Sequence, residues 1–168
     1  RYYMYYTART AGKELAIGIA ASNDLTHWEK VGDVMPEQEC ERKGLAAPAA
    51  IVIEDTLHLF YQSYGNGPKD AICHAVSNDG LQFTRDPSNP IFAPTGTWTV
   101  GRAIDADVIP WRGELLLYFA TRDPDMRLQM IGVAAAPLDS DYGRDTWTQR
   151  CDAPILKPEL PWEQECIE

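Results

Sequence analysis

GRAIDADVIPWRGELLLYFATRD, residues 101–123, decides the fold. It sets Asp105 and Asp107 into an apolar, strand-like segment, turns at Trp111-Arg112-Gly113 and continues into a second apolar run, residues 115–120. An aspartate at the start of a buried strand is costly unless it is hydrogen-bonded or used, so this stretch invites a functional reading.

The same order of segments recurs upstream. Ala47-Pro48-Ala49-Ala50-Ile51-Val52-Ile53 is followed by a turn at Glu54-Asp55 and by residues 57–64, LHLFYQSY. At the N-terminus only the second half is present, as residues 2–9, YYMYYTAR. Tyr5, Phe60 and Tyr118 are equivalent, 55 and then 58 residues apart. Each unit adds a third short strand and closes with a turn and an aromatic-led strand. The Ser-Asn-Asp turns at Ser22 and Ser77 again lie 55 apart. Four short strands per unit with Gly, Asn and Asp turns predict the blades of a β-propeller. The expected division is an incomplete blade over 1–40, blades over 41–97 and 98–160, and the start of a further blade over 161–168. Three partial repeats do not close a ring, so the chain reads as a piece of a longer propeller that is inactive by itself.

The chain of 168 residues is 45% apolar and 10% aromatic, ordinary for a folded protein. No apolar run approaches the roughly 20 residues that span a bilayer, so no membrane partner is expected. A net charge of −10 disfavours nucleic acid as a partner. The cysteines, Cys40, Cys73, Cys151 and Cys166, show no metal-ligand spacing. Cys73 lies in an apolar strand and reads as a small buried hydrophobe; a disulfide among the others suits an oxidising compartment.

Along the chain, Arg9, Tyr64 and Arg122 occupy equivalent strand ends and are candidates for one mouth. Residues 35–44, MPEQECERKG, read as a connecting loop with a solvated charged face. Asp70 closes a Gly- and Pro-rich loop, where it either caps the turn or contacts a ligand. His74 reads as a satisfied core histidine. The segments around Pro90-Ile91 and Pro154-Ile155 share one outer-strand ending, because proline suits an edge strand. A tryptophan precedes an inner strand twice, at Trp98 and Trp162.

Aligning Ile104-Asp105 over Ala47-Pro48 also places Ile167-Glu168 over Ile104-Asp105. Inner strands converge on the propeller axis, so Asp105 and Glu168 are expected to face one pocket. Paired carboxylates of this kind serve acid and base work on a glycosidic bond. Arg102 and Trp98, with Trp162 beside Glu168, are placed to clamp and stack a sugar, or else to pack between blades. Asp107, expected on the same strand face as Asp105, is left open between lining the axial channel, holding water or a cation, and bonding backbone.

The blade pattern, the strand Arg102-Ala103-Ile104-Asp105-Ala106-Asp107, and the ending Glu163-Gln164-Glu165-Cys166-Ile167-Glu168 resemble the five-bladed β-propeller glycoside hydrolases. These comprise family 43 with families 32, 62, 68 and 117 as relatives. The resemblance implies an all-β five-bladed propeller of which this chain covers about three blades. It also implies hydrolysis of plant or algal oligo- and polysaccharides, exo-acting and inverting, with a carbohydrate as the partner. Asp105 matches the Asp that orients the acid, and Glu168 matches the general acid. The third carboxylate is expected on an inner strand before Arg1. Asp70 and Arg122 join Arg102, Trp98 and Trp162 as expected substrate-binding residues. Glu165-Cys166 resembles the acid motif of family 32 and makes Glu165 a rival; the repeat alignment favours Glu168. Arg122-Asp123-Pro124 resembles that family's Arg-Asp-Pro motif and reads as coincidence, since it follows a second strand. No cofactor is required, no metal site is expected among the side chains, and a structural calcium in the central channel is the one ion the resemblance allows. An extracellular or periplasmic location follows by analogy. A non-catalytic carbohydrate-binding propeller and a family 130-like glycoside phosphorylase, using Arg9, Arg102 and Arg122 for phosphate, are the alternatives.

Overall fold

A computed structural model describes residues 1–167. Strands β1 (Tyr2–Arg9), β2 (Leu15–Ser22) and β3 (Glu29–Val34) form one antiparallel sheet. A second contains β4 (Leu45–Ile53), β5 (Thr56–Ser63), β6 (Ile72–Ser77) and β7 (Thr84–Arg85) in sequence order. A third contains β8 (Ile104–Trp111), β9 (Glu114–Arg122), β10 (Gln129–Pro137) and β11 (Thr148–Gln149). The strand β4 lies beside both β1 and β8, so the three sheets stand side by side as propeller blades. Among the described residues no helix is long and apolar enough to cross a membrane.

The period-2 alternation of the second strands makes the blades stack. On β5, Leu59 and Tyr61 face the first sheet and are buried with Ile17, Ile19, Val34 and Leu45. The intervening Phe60 faces the third sheet and is buried with Leu115, Leu117, Phe119 and Tyr142. Both faces of the middle blade are therefore packed, as its nearly continuous apolar sequence requires.

Local turns repeat along with the strands. Ser22 Oγ accepts the Leu25 N–H at 2.8 Å and Asp24 Oδ1 accepts the His27 N–H at 2.8 Å. Ser77 Oγ does the same for Gly80 at 2.9 Å and Asp79 Oδ1 for Gln82 at 2.8 Å. The shared Ser-Asn-Asp triplet builds this turn because short polar side chains bond backbone N–H groups two and three residues on. Those N–H bonds hold the Asp24 carboxyl well below the usual carboxylate range and lower that of Asp79. The hairpins β4–β5 and β8–β9 turn on Glu54 and Arg112, at φ +52° and +51°. Beyond β7 and β11, Phe92 bridges Ile72 and Leu156 bridges Ile131, so the two Pro-Ile segments extend the outer strands.

Candidate active site

The site begins as a backbone irregularity. Along β4 Ala46 stands opposite Gln62 and Ala49 opposite Phe60; along β8 Ile104 stands opposite Ala120 and Asp107 opposite Tyr118. Three steps on the inner strand match two on its partner, which defines a β-bulge. Inside each bulge one residue takes a left-handed conformation, Ala47 at φ +48° and Asp105 at φ +50°. Each also donates its N–H to the neighbouring blade. Ala47 bonds Thr7 Oγ1 at 2.9 Å and Asp105 bonds Gln62 Oε1 at 2.7 Å. Thr7 and Gln62 both stand two residues after the equivalent aromatics Tyr5 and Phe60, so one strand position straps each blade to the next.

The bulge changes two expectations. Asp105 is exposed between buried Ile104 and Ala106 among the described residues. Asp107 shares the face of Ile104, since the bulge breaks the two-residue rule; its Oδ1 accepts the Val108 N–H at 2.9 Å. The counterpart of Asp105 on β4 is Ala47 and not Pro48. The last strand start also moves by one residue. The Ile167 N–H bonds the Gln129 carbonyl at 3.3 Å as Ala103 bonds the Asp70 carbonyl at 2.9 Å, so Ile167 takes the place of Ala103 rather than Ile104. Glu168 lies outside the described residues.

The other expected site residues are placed as follows. Asp70 is buried and caps its own turn, accepting the Asn66 N–H at 2.7 Å, while Arg102 Nη2 reaches its Oδ2 at 3.2 Å. The pair fixes the approach to β8, because leaving either charge unpaired would be costly. Arg122 donates to the Met126 carbonyl at 3.1 Å and Arg9 to the Lys13 carbonyl at 2.8 Å, each four residues on. Both arginines thus close hairpin turns, and Arg122-Asp123-Pro124 is part of one: Asp123 Oδ1 accepts the Arg127 N–H at 2.7 Å. Trp98 is half-buried against the core between the second and third blades, near Gly132 and Phe119. Trp162 is 74% exposed. Glu165 is exposed and paired with Arg127 at 3.6 Å. Among the described residues no cluster of three or more His, Cys, Asp or Glu is arranged to hold a metal.

Three buried polar residues, Glu41, His58 and Gln62, escaped the sequence reading. Glu41, in the loop read as a solvated charged face, is fully buried. Its carboxylate accepts from the Tyr61 hydroxyl, from Arg85 Nε at 3.0 Å, and from the N–H groups of Glu37 and Gln38 at 2.8 and 3.1 Å. The alternation of β5 offered a signal, since Tyr61 on an apolar face needs a hydroxyl partner. His58 Nδ1 lies 3.0 Å from His74 Nε2, and His74 Nδ1 lies 3.3 Å from Asp86 Oδ2. Burial, and then the neighbouring His74, pushes His58 down to about 4; burial also lowers His74, against the opposing effect of Asp86. This agrees with the reading of His74 as a satisfied core histidine. Gln62 was missed because its role is to receive a backbone N–H from another blade.

The three antiparallel sheets, standing side by side with a bulge on each complete inner strand, are blades of a β-propeller. Residues 1–107 match the model described as the glycosyl hydrolases family 32 N-terminal domain, and the chain belongs to that family. Among solved structures, a family 32 β-fructofuranosidase of Bombyx mori superposes with a TM-score of 0.70 at 16% identity, over 89% of this chain and 32% of that one. A family 117 glycoside hydrolase from the marine bacterium Zobellia galactanivorans gives 0.72 at 22%, over 93% of this chain and 53% of that one. A thermostable family-43 glycoside hydrolase gives 0.71 at 22%, over 94% and 52%. The chain thus spans between a third and about half of these structures, and at such identities they show the fold. Family 43, which the sequence reading put first, is one neighbour among several; the family model points to family 32.

Proposed function

We propose that the protein carrying this chain hydrolyses glycosidic bonds of plant or algal oligo- and polysaccharides, with Asp105 in the catalytic centre and Glu168 as the general acid, Glu165 being the rival that the one-residue shift of the last strand start brings back level with it. The observation that supports this most is the strapped bulge at Asp105. Asp105, held left-handed with its N–H on the neighbouring blade, is an exposed acid near the start of β8, in a position that the equivalent bulge fills with Ala47. Fixed placement of a charged group is what transition-state stabilisation needs. Asp105 is assigned the orientation of the acid, Glu168 the protonation of the leaving oxygen, and a carboxylate from another blade the activation of water with inversion. A structural calcium in the axial channel, with Asp107 at its wall, belongs to the same proposal. Arg102 acts by holding Asp70 and the start of β8. The phosphorylase alternative is disfavoured because Arg9, Arg102 and Arg122 are each engaged within turns or an ion pair.

The test is hydrolysis by the full-length protein of aryl glycosides and oligosaccharides, fructosides included, comparing wild type with Asp105→Asn and Glu168→Gln. Loss of most of the rate in both variants on the substrate that wild type cleaves supports the assignment. Full activity of Glu168→Gln transfers the acid to Glu165, and no cleavage on a broad panel favours a binding propeller. Proton NMR of the first-formed anomer reads the stereochemistry.

A further inference from the structure

The loop that delivers the chain to β4 carries a thiol against the blade it serves. Cys40 belongs to the 3-10 turn Glu39–Glu41, and its Sγ lies 3.9 Å from Sγ of Cys73 on β6. The turn is rigidly held: Glu41 accepts four hydrogen bonds, and Asn66 Nδ2 donates to the Cys40 carbonyl at 3.2 Å. Cys40 is half-buried and Cys73 has no exposed surface. Cys40 is thus the more accessible residue of the two, and its sulfur is already in contact with that of Cys73. The two are 33 residues apart in sequence, and the expectation that Cys73 serves only as a buried hydrophobe overlooks this contact.

We propose that Cys40 and Cys73 are a redox-active pair that closes to a disulfide by exchange with a low-molecular-weight disulfide such as oxidised glutathione, pinning the loop before β4 to the third strand of the same blade. The Cys40 thiolate attacks one sulfur of the small disulfide, forming a mixed disulfide and expelling one glutathione thiolate. Cys73, giving up its proton to water, then attacks Cys40 Sγ and expels the second glutathione. Two protein thiols are oxidised, one small disulfide is reduced to two thiols, and electrons and protons balance. Forming the bond requires each sulfur to move by about 1 Å, a side-chain adjustment. The bond between the two thiols holds Cys40 below the ordinary thiol value, which favours it as the attacking group; that bond and burial push Cys73 up, which makes it the resolving one.

The experiment incubates the reduced full-length protein with oxidised glutathione, quenches with acid, alkylates under denaturing conditions and maps the peptides. A Cys40–Cys73 linked peptide, reversed by dithiothreitol, is expected, with Cys151 and Cys166 still alkylated. The thermal midpoint of wild type should rise by about 5 °C on oxidation, and that of Cys40→Ser should not move. Cys40→Ser carries the test if a change at buried Cys73 prevents folding. In Cys40→Ser, Cys73 should stay reduced under the same oxidant. Full alkylation of Cys40 and Cys73 after oxidation overturns the proposal, as does a stable glutathionyl group on Cys40 or a bond from Cys40 to Cys151 or Cys166.

Discussion

The bulges of β4 and β8 share one backbone and differ in one side chain. Ala47 and Asp105 have φ values of +48° and +50°, and each donates its N–H to the same position of the preceding blade's second strand. At Ala47 the device holds two blades together. At Asp105 it does that and also presents a carboxylate. The comparison teaches that the kink belongs to the fold's construction, and that one copy carries an acid where the other carries a methyl group. A left-handed residue costs roughly 1–2 kcal/mol unless it is glycine, with Asp tolerating it better than Ala. The strain at Ala47 therefore shows that the conformation is imposed by the blade junction rather than selected by the residue.

The largest effect expected from this comparison is at Asp105. Asp105→Asn should lower kcat/KM of the full-length protein by about 10²–10⁴ while leaving the thermal midpoint within about 2 °C. Ala47→Asp should fold equally well and gain no activity. A large loss of stability in Asp105→Asn would make the residue structural and dissolve the distinction between the two bulges.

Second in size is a pH effect that bounds the window in which the bulges can be compared. His58 is neutral in the folded protein and titrates near 4, against an ordinary value of 6.5. The unfolded chain binds the proton first as pH falls, so stability rises with pH across this interval. The contribution is complete above 6.5 and is lost as pH falls toward 4. Urea midpoints measured from pH 7.5 to 4.5 should fall in wild type and fall less in His58→Phe. Parallel curves for the two proteins would exclude His58 as the origin.

The straps come next. Thr7→Val and Gln62→Leu should each cost about 1 kcal/mol, read by urea denaturation, through loss of one hydrogen bond. They should separate in function: Gln62→Leu should lower kcat about tenfold with little change in KM, because Asp105 is less firmly placed, and Thr7→Val should leave kcat unchanged. Equal effects on kcat would show that the straps act only through stability. The smallest effect is expected at Ala47→Gly, a gain of a few tenths of a kcal/mol at most, since relief of the left-handed strain is largely offset by the greater freedom of glycine when unfolded. A thermal melt resolves its sign.

Much of the architecture was legible before any coordinates. The 55- and 58-residue spacings placed equivalent strands, and the paired Ser-Asn-Asp turns fold alike because their bonds run two or three residues along the chain. Of the candidate site, Asp105 stood out in the sequence, but the bulge that holds it did not, because no Gly or Pro over 104–107 announces it. The repeat alignment set Asp105 over Pro48, one place from the Ala47 that the matching bulge gives it. The loop over 35–44 shows the converse error: five of its ten residues are charged, yet Glu41 is fully buried. No rule of composition distinguishes that carboxylate from Glu37 and Glu39 beside it.

The sequence by itself determined the blades, their turns and their order, because strand alternation and turn chemistry are fixed by residues close together in the chain. Only the tertiary structure decided which polar groups are spent and which are presented. Glu41 meets Arg85 across 44 residues, Asp105 meets Gln62 across 43, and Arg102 meets Asp70 across 32. Such partners are chosen by the stacking of one blade on the next, and a buried charge or backbone N–H is satisfied by whatever that stacking brings within hydrogen-bond reach.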